Sequence, residues 1–172
     1  MNCEPTQLKD FDDRLSMTES DKVYTPLKTT KRIIEIFKPR GKLLEPCKGS
    51  GNFLKFMPNA DWCEIEEGKD FFDYNKKVDW IITNTPYSKF TQFLIKSFSL
   101  STNVVFLVPL VKPFRSFGTI KLINDYGGIV SIHFLKAKDC GFSFGYPFGV
   151  FHFKRDYKGP TTITPFTFKA GY

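Results

Sequence analysis

Short apolar runs alternate with amphipathic segments along most of the chain, a pattern typical of a parallel sheet flanked by helices. The pattern predicts six strands, at Lys42–Glu45, Trp62–Ile65, Asp79–Thr83, Val104–Val108, Ile129–Leu135 and Phe148–Lys154. Between the strands it predicts three helices, at Gly51–Phe56, Ser88–Leu100 and Phe117–Tyr126. The predicted fold class is therefore α/β.

The first ordered element is predicted to be a helix that begins near Tyr24. Thr25 can cap this helix, Pro26 can occupy its first position, and an apolar face continues to Phe37. Near the other end of the chain, the segment Lys136–Pro147 joins the last two strands and is too short for a crossover helix. These two strands should therefore pair antiparallel, in a sheet that is otherwise mainly parallel.

Composition indicates one compact domain with a basic surface. The 172 residues are 41% hydrophobic, 25% charged and 17% aromatic, which allows a sizeable core and excludes a disordered chain. The net charge is +7, but residues 1–21 alone carry −4, so the rest of the chain carries +11. We interpret residues 1–21 as a loosely ordered acidic arm and residues 22–172 as the folded domain. Such a basic domain favours a polyanionic partner, above all nucleic acid.

The sequence offers no metal site and no membrane segment. The four cysteines form no CxxC pair and there are only two histidines, so the ligand spacing of a zinc site is missing. The longest apolar stretch, Val104–Val111, is too short to cross a bilayer, and the acidic N-terminus is unlike a signal peptide. We therefore expect no metal, no membrane contact and a cytoplasmic location, in the host cytoplasm if the protein is viral. His133 and His152 receive no role, because no acid lies at triad spacing.

A turn with two glycines follows the first predicted strand, in the segment Glu45-Pro46-Cys47-Lys48-Gly49-Ser50-Gly51. This arrangement brings backbone N–H groups and a carboxylate to the carboxyl edge of a parallel sheet, where ligands bind. The spacing differs from GxGxxG, and Glu45 would repel phosphates but attract a cation. The pattern favours the amino and sulfonium groups of S-adenosylmethionine over a dinucleotide, with a purely structural turn as the alternative.

A second polar turn, Asn84-Thr85-Pro86-Tyr87, follows the third predicted strand. An amide oxygen and a neighbouring carbonyl can both accept from the exocyclic amine of a nucleobase and direct its lone pair towards a methyl donor. Asn84 and the main-chain carbonyl of Thr85 are the candidate acceptors. Pro86 would stiffen the turn, and Tyr87 offers a stacking surface for an extruded base. Taken alone, such a turn can also be structural.

Together the two turns resemble the S-adenosylmethionine-dependent N6-adenine DNA methyltransferases, whose catalytic signature is Asn/Asp-Pro-Pro-Tyr/Phe. The segment Tyr24-Thr25-Pro26 is similar to the start of the helix that borders the cofactor in that family. The resemblance covers about residues 23–155. It implies a Rossmann-like class I methyltransferase fold, with helices on both faces of a seven-stranded, mainly parallel sheet that contains one antiparallel strand. It also implies a small orphan enzyme of phage type that methylates the N6 amine of adenine in DNA.

The resemblance implies a site for S-adenosylmethionine. Glu64 is similar to the acid that binds both ribose hydroxyls, with Glu66 as the fallback, and Asp70-Phe71 resembles the pair that holds the adenine ring. The implied cofactor residues are Tyr24, Thr25, Pro26, Glu45, Pro46, Gly49, Gly51, Glu64, Ile65, Asp70, Phe71 and Asn84. The implied catalytic residues are Asn84, Thr85, Pro86 and Tyr87.

The sequence departs from the family in two respects. Thr85 stands where the family mostly has its first proline, which makes the turn less rigid but keeps the carbonyl acceptor. The chain has no additional DNA-reading domain, so recognition is expected from loops. The candidate contacts to nucleic acid are Lys89, Lys112, Arg115, Phe142 and Phe144.

Other functions stay open from the sequence alone. The same turn serves enzymes that methylate adenine in RNA or a glutamine amide in protein. A further alternative is a degenerate methyltransferase fold that binds a partner without catalysis. The replacement of the family's first proline by Thr85 is the feature that favours it. The charge of the domain favours nucleic acid over protein, and we expect DNA rather than RNA as the partner.

Overall fold

A computed structural model describes residues 23–142 and 145–168. Its framework is a seven-stranded sheet with the strand order β2-β1-β3-β4-β6-β5-β7. The strands are β1 (Leu43–Glu45), β2 (Asp61–Trp62), β3 (Val78–Thr83), β4 (Ser101–Pro109), β5 (Gly127–Leu135), β6 (Phe148–Arg155) and β7 (Thr162–Pro165). The helices are α1 (Leu27–Phe37), α2 (Phe90–Leu100) and α3 (Phe117–Tyr126). The predicted acidic arm, residues 1–21, lies outside the described residues.

Strand directions confirm the predicted sheet. β1 pairs in parallel with β2 and β3, and β3 pairs in parallel with β4. β6 runs antiparallel to both of its neighbours, β4 and β5, and is the one reversed strand among those described. The parallel strands therefore end at a common carboxyl edge, where α/β folds bind ligands. The seventh strand, β7, follows the last predicted strand and pairs in parallel with β5.

Three local predictions are wrong. The segment Gly51–Phe56 forms consecutive turns instead of a helix, because Pro58 and the β2 strand leave it too short for an unaided helix. The second strand ends at Trp62 instead of Ile65, since Glu64 already bonds back to Lys69 in a local bridge. Thr25 does not cap α1, which begins at Leu27 with Pro26 before it, because the Thr25 hydroxyl bonds elsewhere.

Phenylalanine fills the core on both faces of the sheet. One face, covered by α2 and α3, includes Phe106, Phe151 and Phe153, each fully buried. The other face, covered by α1, contains Phe53 and Phe148. This division accounts for much of the aromatic content of the chain as core packing, which is the ordinary role of phenylalanine. The central strands are fixed by burial on both faces.

His152 belongs to this core. Its ring stacks on Trp80 with centroids 5.2 Å apart and meets the edge of Phe37 at 5.5 Å. Its Nε2 lies 3.1 Å from Oδ1 of Asn103. Burial lowers the pKa of His152 from 6.5 to about 4, and the positive charge of Lys154 contributes to the decrease. The folded protein therefore holds this ring neutral at pH values where a solvated histidine is charged.

Acid should destabilise the fold through His152. Between pH 6.5 and about 4 the unfolded chain binds a proton at this ring and the folded chain does not, so the free energy of unfolding falls as the pH falls. We expect His152 to contribute a loss of up to about 3 kcal/mol over this range. Urea unfolding of wild type and His152→Gln at pH 7 and pH 4.5 measures it. Equal losses in both proteins would exclude His152 as the cause.

Candidate active site

A cavity of about 470 Å³ opens at the carboxyl ends of β1 and β3. This size lies within the range of small-molecule sites. Both sequence motifs contribute to its wall, together with the residues that precede α1. The lining residues that the sequence singled out are Tyr24, Thr25, Pro46, Gly49, Glu64, Ile65, Asp70, Phe71, Asn84, Thr85, Pro86, Tyr87 and Lys89.

Asn84 follows the last residue of β3, and its amide is oriented by the chain that precedes α1. Its Nδ2 donates to Oγ1 of Thr25 at 3.2 Å. This bond fixes the position of the other amide atom, Oδ1, which is buried and has no partner among the described residues. A buried acceptor without a donor is costly, so it marks a place where a ligand can donate.

The glycine turn is held by the side chain of Glu64. Oε2 of Glu64 accepts from the N–H of Gly49 at 2.7 Å, and Oε1 accepts from the N–H of Glu66 at 3.3 Å. Gly49 has a φ of +49°, and a Cβ there would lie 2.9 Å from the ring of Tyr24. Glycine is therefore required by both conformation and space. The carboxylate of Glu64, the turn and the Tyr24 ring form one side of the cavity.

Glu45 lies behind this turn and not in the cavity wall. It is fully buried, and its Oε1 accepts from the N–H of Cys47 at 3.4 Å, while Oε2 has no partner among the described residues. Burial raises the pKa of Glu45 well above its usual range, and the negative charge of Glu64 adds to the rise. A cation placed in the cavity would offset both effects.

Apolar side chains cover the opposite side of the cavity. Ile65 lines the cavity and is 65% exposed, so it presents apolar surface there. Phe71 is buried and stacks on Phe93, with ring centroids 5.1 Å apart. Asp70 accepts from the N–H of Phe72 at 2.8 Å, so its carboxylate is fixed next to these rings. This side suits a flat, weakly polar group.

Aromatic rings also continue from the cavity towards β6. Tyr87, in the short 3-10 turn after Pro86, has its ring centroid 5.8 Å from that of Phe148 and 6.4 Å from that of Phe142. Phe142 in turn stacks on Phe148 with centroids 5.1 Å apart. Tyr87 therefore lies between the cavity and an aromatic cluster at the same edge of the sheet.

Several predicted site residues lie away from the cavity wall. They are Pro26, Glu45, Gly51, Lys112, Arg115 and Phe142. Lys112 is 6% exposed, so its ammonium group is poorly placed for a phosphate, whereas Lys89 and Arg115 are exposed. Phe144 lies outside the described residues. The assigned roles of all these residues stay predictions.

The sequence missed other residues of the wall. They are Val23, Cys47, Lys48, Ser50, Asn52, Phe53, Glu67, Phe72 and Phe93, whereas Glu66 was named as the fallback for Glu64. Asn52 donates to the carbonyl oxygen of Thr25 at 3.0 Å, which ties the glycine turn to the start of α1. Lys48 forms an ion pair with Glu67 across the rim. Many of these missed wall residues lie within or next to the two motifs, and this proximity was the sequence signal that could have identified them.

Charge is divided along the chain. Residues 43–79 carry eight acidic and five basic side chains, whereas residues 80–155 carry two acidic and nine basic ones. Four acids of the first segment line the cavity, namely Glu64, Glu66, Glu67 and Asp70, so this wall is suited to a cation. The second segment is suited to a polyanion.

In the described part of the chain, no three His, Cys, Asp or Glu side chains are grouped to hold a metal ion. None of the described helices has the length and apolar character needed to span a membrane.

Solved structures share this fold at low sequence identity. A protein assigned as a class I S-adenosylmethionine-dependent methyltransferase from Listeria monocytogenes superposes with a TM-score of 0.63 and 14% identity, over 96% of this chain and 72% of its own. The methyltransferase subunit of a type I restriction-modification system from Streptococcus thermophilus gives 0.59 and 16%, over 86% and 48%. A dimethyladenosine transferase from Plasmodium falciparum gives 0.56 and 13%, over 73% and 60%.

No family model and no curated protein matches the sequence. The structural neighbours nevertheless show that the chain has the Rossmann-like fold of class I methyltransferases, as the resemblance implied. The chain spans about half the length of the restriction-modification subunit.

Proposed function

We propose that this chain is an S-adenosylmethionine-dependent methyltransferase that acts on the N6 amine of adenine in DNA. The observation that carries the proposal is the amide of Asn84, whose Oδ1 is buried without a partner at the cavity and whose Nδ2 is held by Thr25. This geometry suits an acceptor for a substrate amine. The structural neighbours include the methyltransferase subunit of a type I restriction-modification system and a dimethyladenosine transferase.

The cavity fits the proposed cofactor in charge and shape. The carboxyl of Glu45 lies buried behind the glycine turn with a raised pKa, and a cation in the cavity would lower that pKa. Glu64 offers a fixed carboxylate for hydroxyl groups, and the apolar side near Ile65 suits a purine ring. When bound, the cofactor supplies an electrophilic methyl group.

The chain's own residues would prepare the amine for transfer. The lone pair of an exocyclic adenine amine is delocalised into the ring, so the amine is a poor nucleophile. Acceptance of its two N–H groups by Oδ1 of Asn84 and the carbonyl of Thr85 localises the lone pair on nitrogen. The same two oxygens stabilise the positive charge that develops as the nitrogen gains the methyl group, before one proton leaves. Tyr87 would stack on the extruded base.

Charge favours nucleic acid over protein as the substrate. Residues 80–155 carry nine basic and two acidic side chains. When basic side chains contact the phosphates of a nucleic acid, counterions are released, and binding therefore depends on the salt concentration. Adenine in RNA is the second candidate, supported by the same charge.

The proposal is tested by labelling. The protein is incubated with S-adenosylmethionine carrying a tritiated methyl group and, separately, with unmethylated DNA, RNA and a protein mixture. We expect label in DNA as N6-methyladenine. Label in RNA alone would transfer the proposal to RNA, and label in protein alone would replace it with amide methylation.

Salt concentration should affect the binding of DNA and the binding of the cofactor differently. Between 50 and 200 mM salt we expect DNA affinity to fall by at least about tenfold, since several phosphates are contacted, while cofactor affinity changes little. Filter binding of DNA and calorimetry of the cofactor measure the two. A DNA affinity that does not depend on salt would contradict the proposal that basic side chains of residues 80–155 contact phosphates.

A further inference from the structure

The cavity wall contains a second buried oxygen without a partner, on the residue that follows Asn84. Thr85 lines the cavity and is 3% exposed. Like Oδ1 of Asn84, its Oγ1 has no hydrogen-bond partner among the described residues. A buried polar atom without a partner costs free energy. Two such atoms on adjacent wall residues therefore indicate a ligand that bonds to both.

The lack of a partner sets Thr85 apart from most buried threonines of this protein. The hydroxyl groups of four others form hydrogen bonds within the fold, in Thr25, Thr29, Thr30 and Thr119. Among the described residues, Thr83 is the other buried threonine without a partner, and it does not line the cavity. The residue after Thr85 is Pro86, which has no N–H that could donate to the hydroxyl. The Thr85 hydroxyl is thus left for a group that enters the cavity.

The two unpartnered oxygens can bond different groups. Oδ1 of Asn84 is an amide oxygen and only accepts, whereas the hydroxyl of Thr85 can also donate. A ligand edge on which a donor lies next to an acceptor therefore satisfies both atoms. Adenine has such an edge, because its ring nitrogen N1, which accepts, is adjacent to the carbon that bears the exocyclic amine, which donates.

We infer that the hydroxyl of Thr85 donates a hydrogen bond to N1 of the target adenine and so helps to select this base. The inference rests on the proposed function and adds a specificity-determining residue to it. The Thr85 carbonyl accepts from the amine and the hydroxyl holds the neighbouring ring atom, so one residue contacts two adjacent groups of the base. Activation of the amine stays with the two acceptors. The proline of the signature that the sequence resembles has no hydroxyl, so this contact is specific to a chain with threonine here.

The first test measures stability in the absence of any ligand. Thr85→Val replaces the hydroxyl with a methyl group, and the urea midpoint should equal or exceed that of wild type, because an unsatisfied polar group is removed. The control Thr30→Val removes a buried hydroxyl that donates to the carbonyl of Leu27 at 2.9 Å, so its midpoint should fall. An equally large fall in Thr85→Val would show that the hydroxyl is bonded within the fold and would overturn the inference.

The second test measures methyl transfer to a base analogue. Random-sequence duplexes are prepared with adenine or with 1-deazaadenine, in which a C–H group replaces N1. The analogue keeps the major-groove atoms N7 and N6. Its amine is no poorer a nucleophile, because the ring has one electron-withdrawing nitrogen fewer. We expect wild type to transfer methyl groups at least about tenfold faster to the adenine duplexes, because the hydroxyl has no acceptor in the analogue.

Thr85→Val should transfer to both kinds of duplex at similar rates, whereas Thr85→Ser, which keeps the hydroxyl, should keep the preference for adenine. Equal rates in wild type, or an unchanged preference in Thr85→Val, would overturn the inference. A loss of S-adenosylmethionine affinity in Thr85→Val, measured by calorimetry, would assign the hydroxyl to the cofactor and would also overturn it. Absence of label in every adenine duplex would contradict the proposed function itself, so the two failures are distinguishable.

Discussion

Replacement of Asn84 by alanine should reduce methyl transfer at least about a hundredfold and leave the fold and cofactor binding nearly unchanged. The loss follows because Oδ1 is the oriented acceptor that stabilises charge as it develops on the substrate amine. The amide contacts the rest of the chain through one described bond, from Nδ2 to Thr25, so its removal costs little stability. Single-turnover rates with saturating cofactor, together with calorimetry of cofactor binding, measure both effects.

Ser88→Ala is the control for this variant, since Ser88 is exposed in the same turn and does not line the cavity. It should retain the wild-type rate. Wild-type turnover by Asn84→Ala on every labelled substrate would show that the turn is structural, and the proposed mechanism would then be wrong.

Replacement of Glu64 by alanine should weaken S-adenosylmethionine binding by about 1.5–3 kcal/mol, the scale of lost charged hydrogen bonds. Two effects combine in this variant. The carboxylate would bind the ribose hydroxyls, and it also holds the Gly49 N–H at 2.7 Å, so the glycine turn loses its support. Calorimetry of cofactor binding measures the loss.

Glu66→Ala is the matched comparison, because Glu66 is a second glutamate of the cavity wall, two residues from Glu64. Its cofactor affinity should stay within about twofold of wild type. A large loss in Glu66→Ala with none in Glu64→Ala would reassign the ribose contact to Glu66.

The central strands could be predicted because they are long and strongly apolar. Val104–Val108 and Phe148–Phe153 are buried along their whole length, so they form apolar runs that local sequence reveals. The antiparallel direction of β6 followed from the short connection before it. These features depend on neighbouring residues in the chain, which a sequence displays directly.

The incorrect predictions concern contacts that hydrophobic patterning does not show, whether the partner is distant or nearby in the sequence. Thr25 looks like a helix cap, but its hydroxyl accepts from Asn84, 59 residues away. Glu64 looks like a strand end, but its backbone pairs with Lys69 in a local bridge. The motifs indicated many of the residues that line the cavity, while Asn52 was missed because its partner, the Thr25 carbonyl, is set by the tertiary fold.

Thr25 joins the two loops that face the cavity. Thr25 accepts from Asn52 of the glycine turn with its carbonyl and from Asn84 of the second turn with its hydroxyl. A displacement of either loop therefore acts on the other through one short stretch of backbone. In the proposed reaction, binding of the methyl donor against the glycine turn would therefore also position the Asn84 amide, which receives the target base.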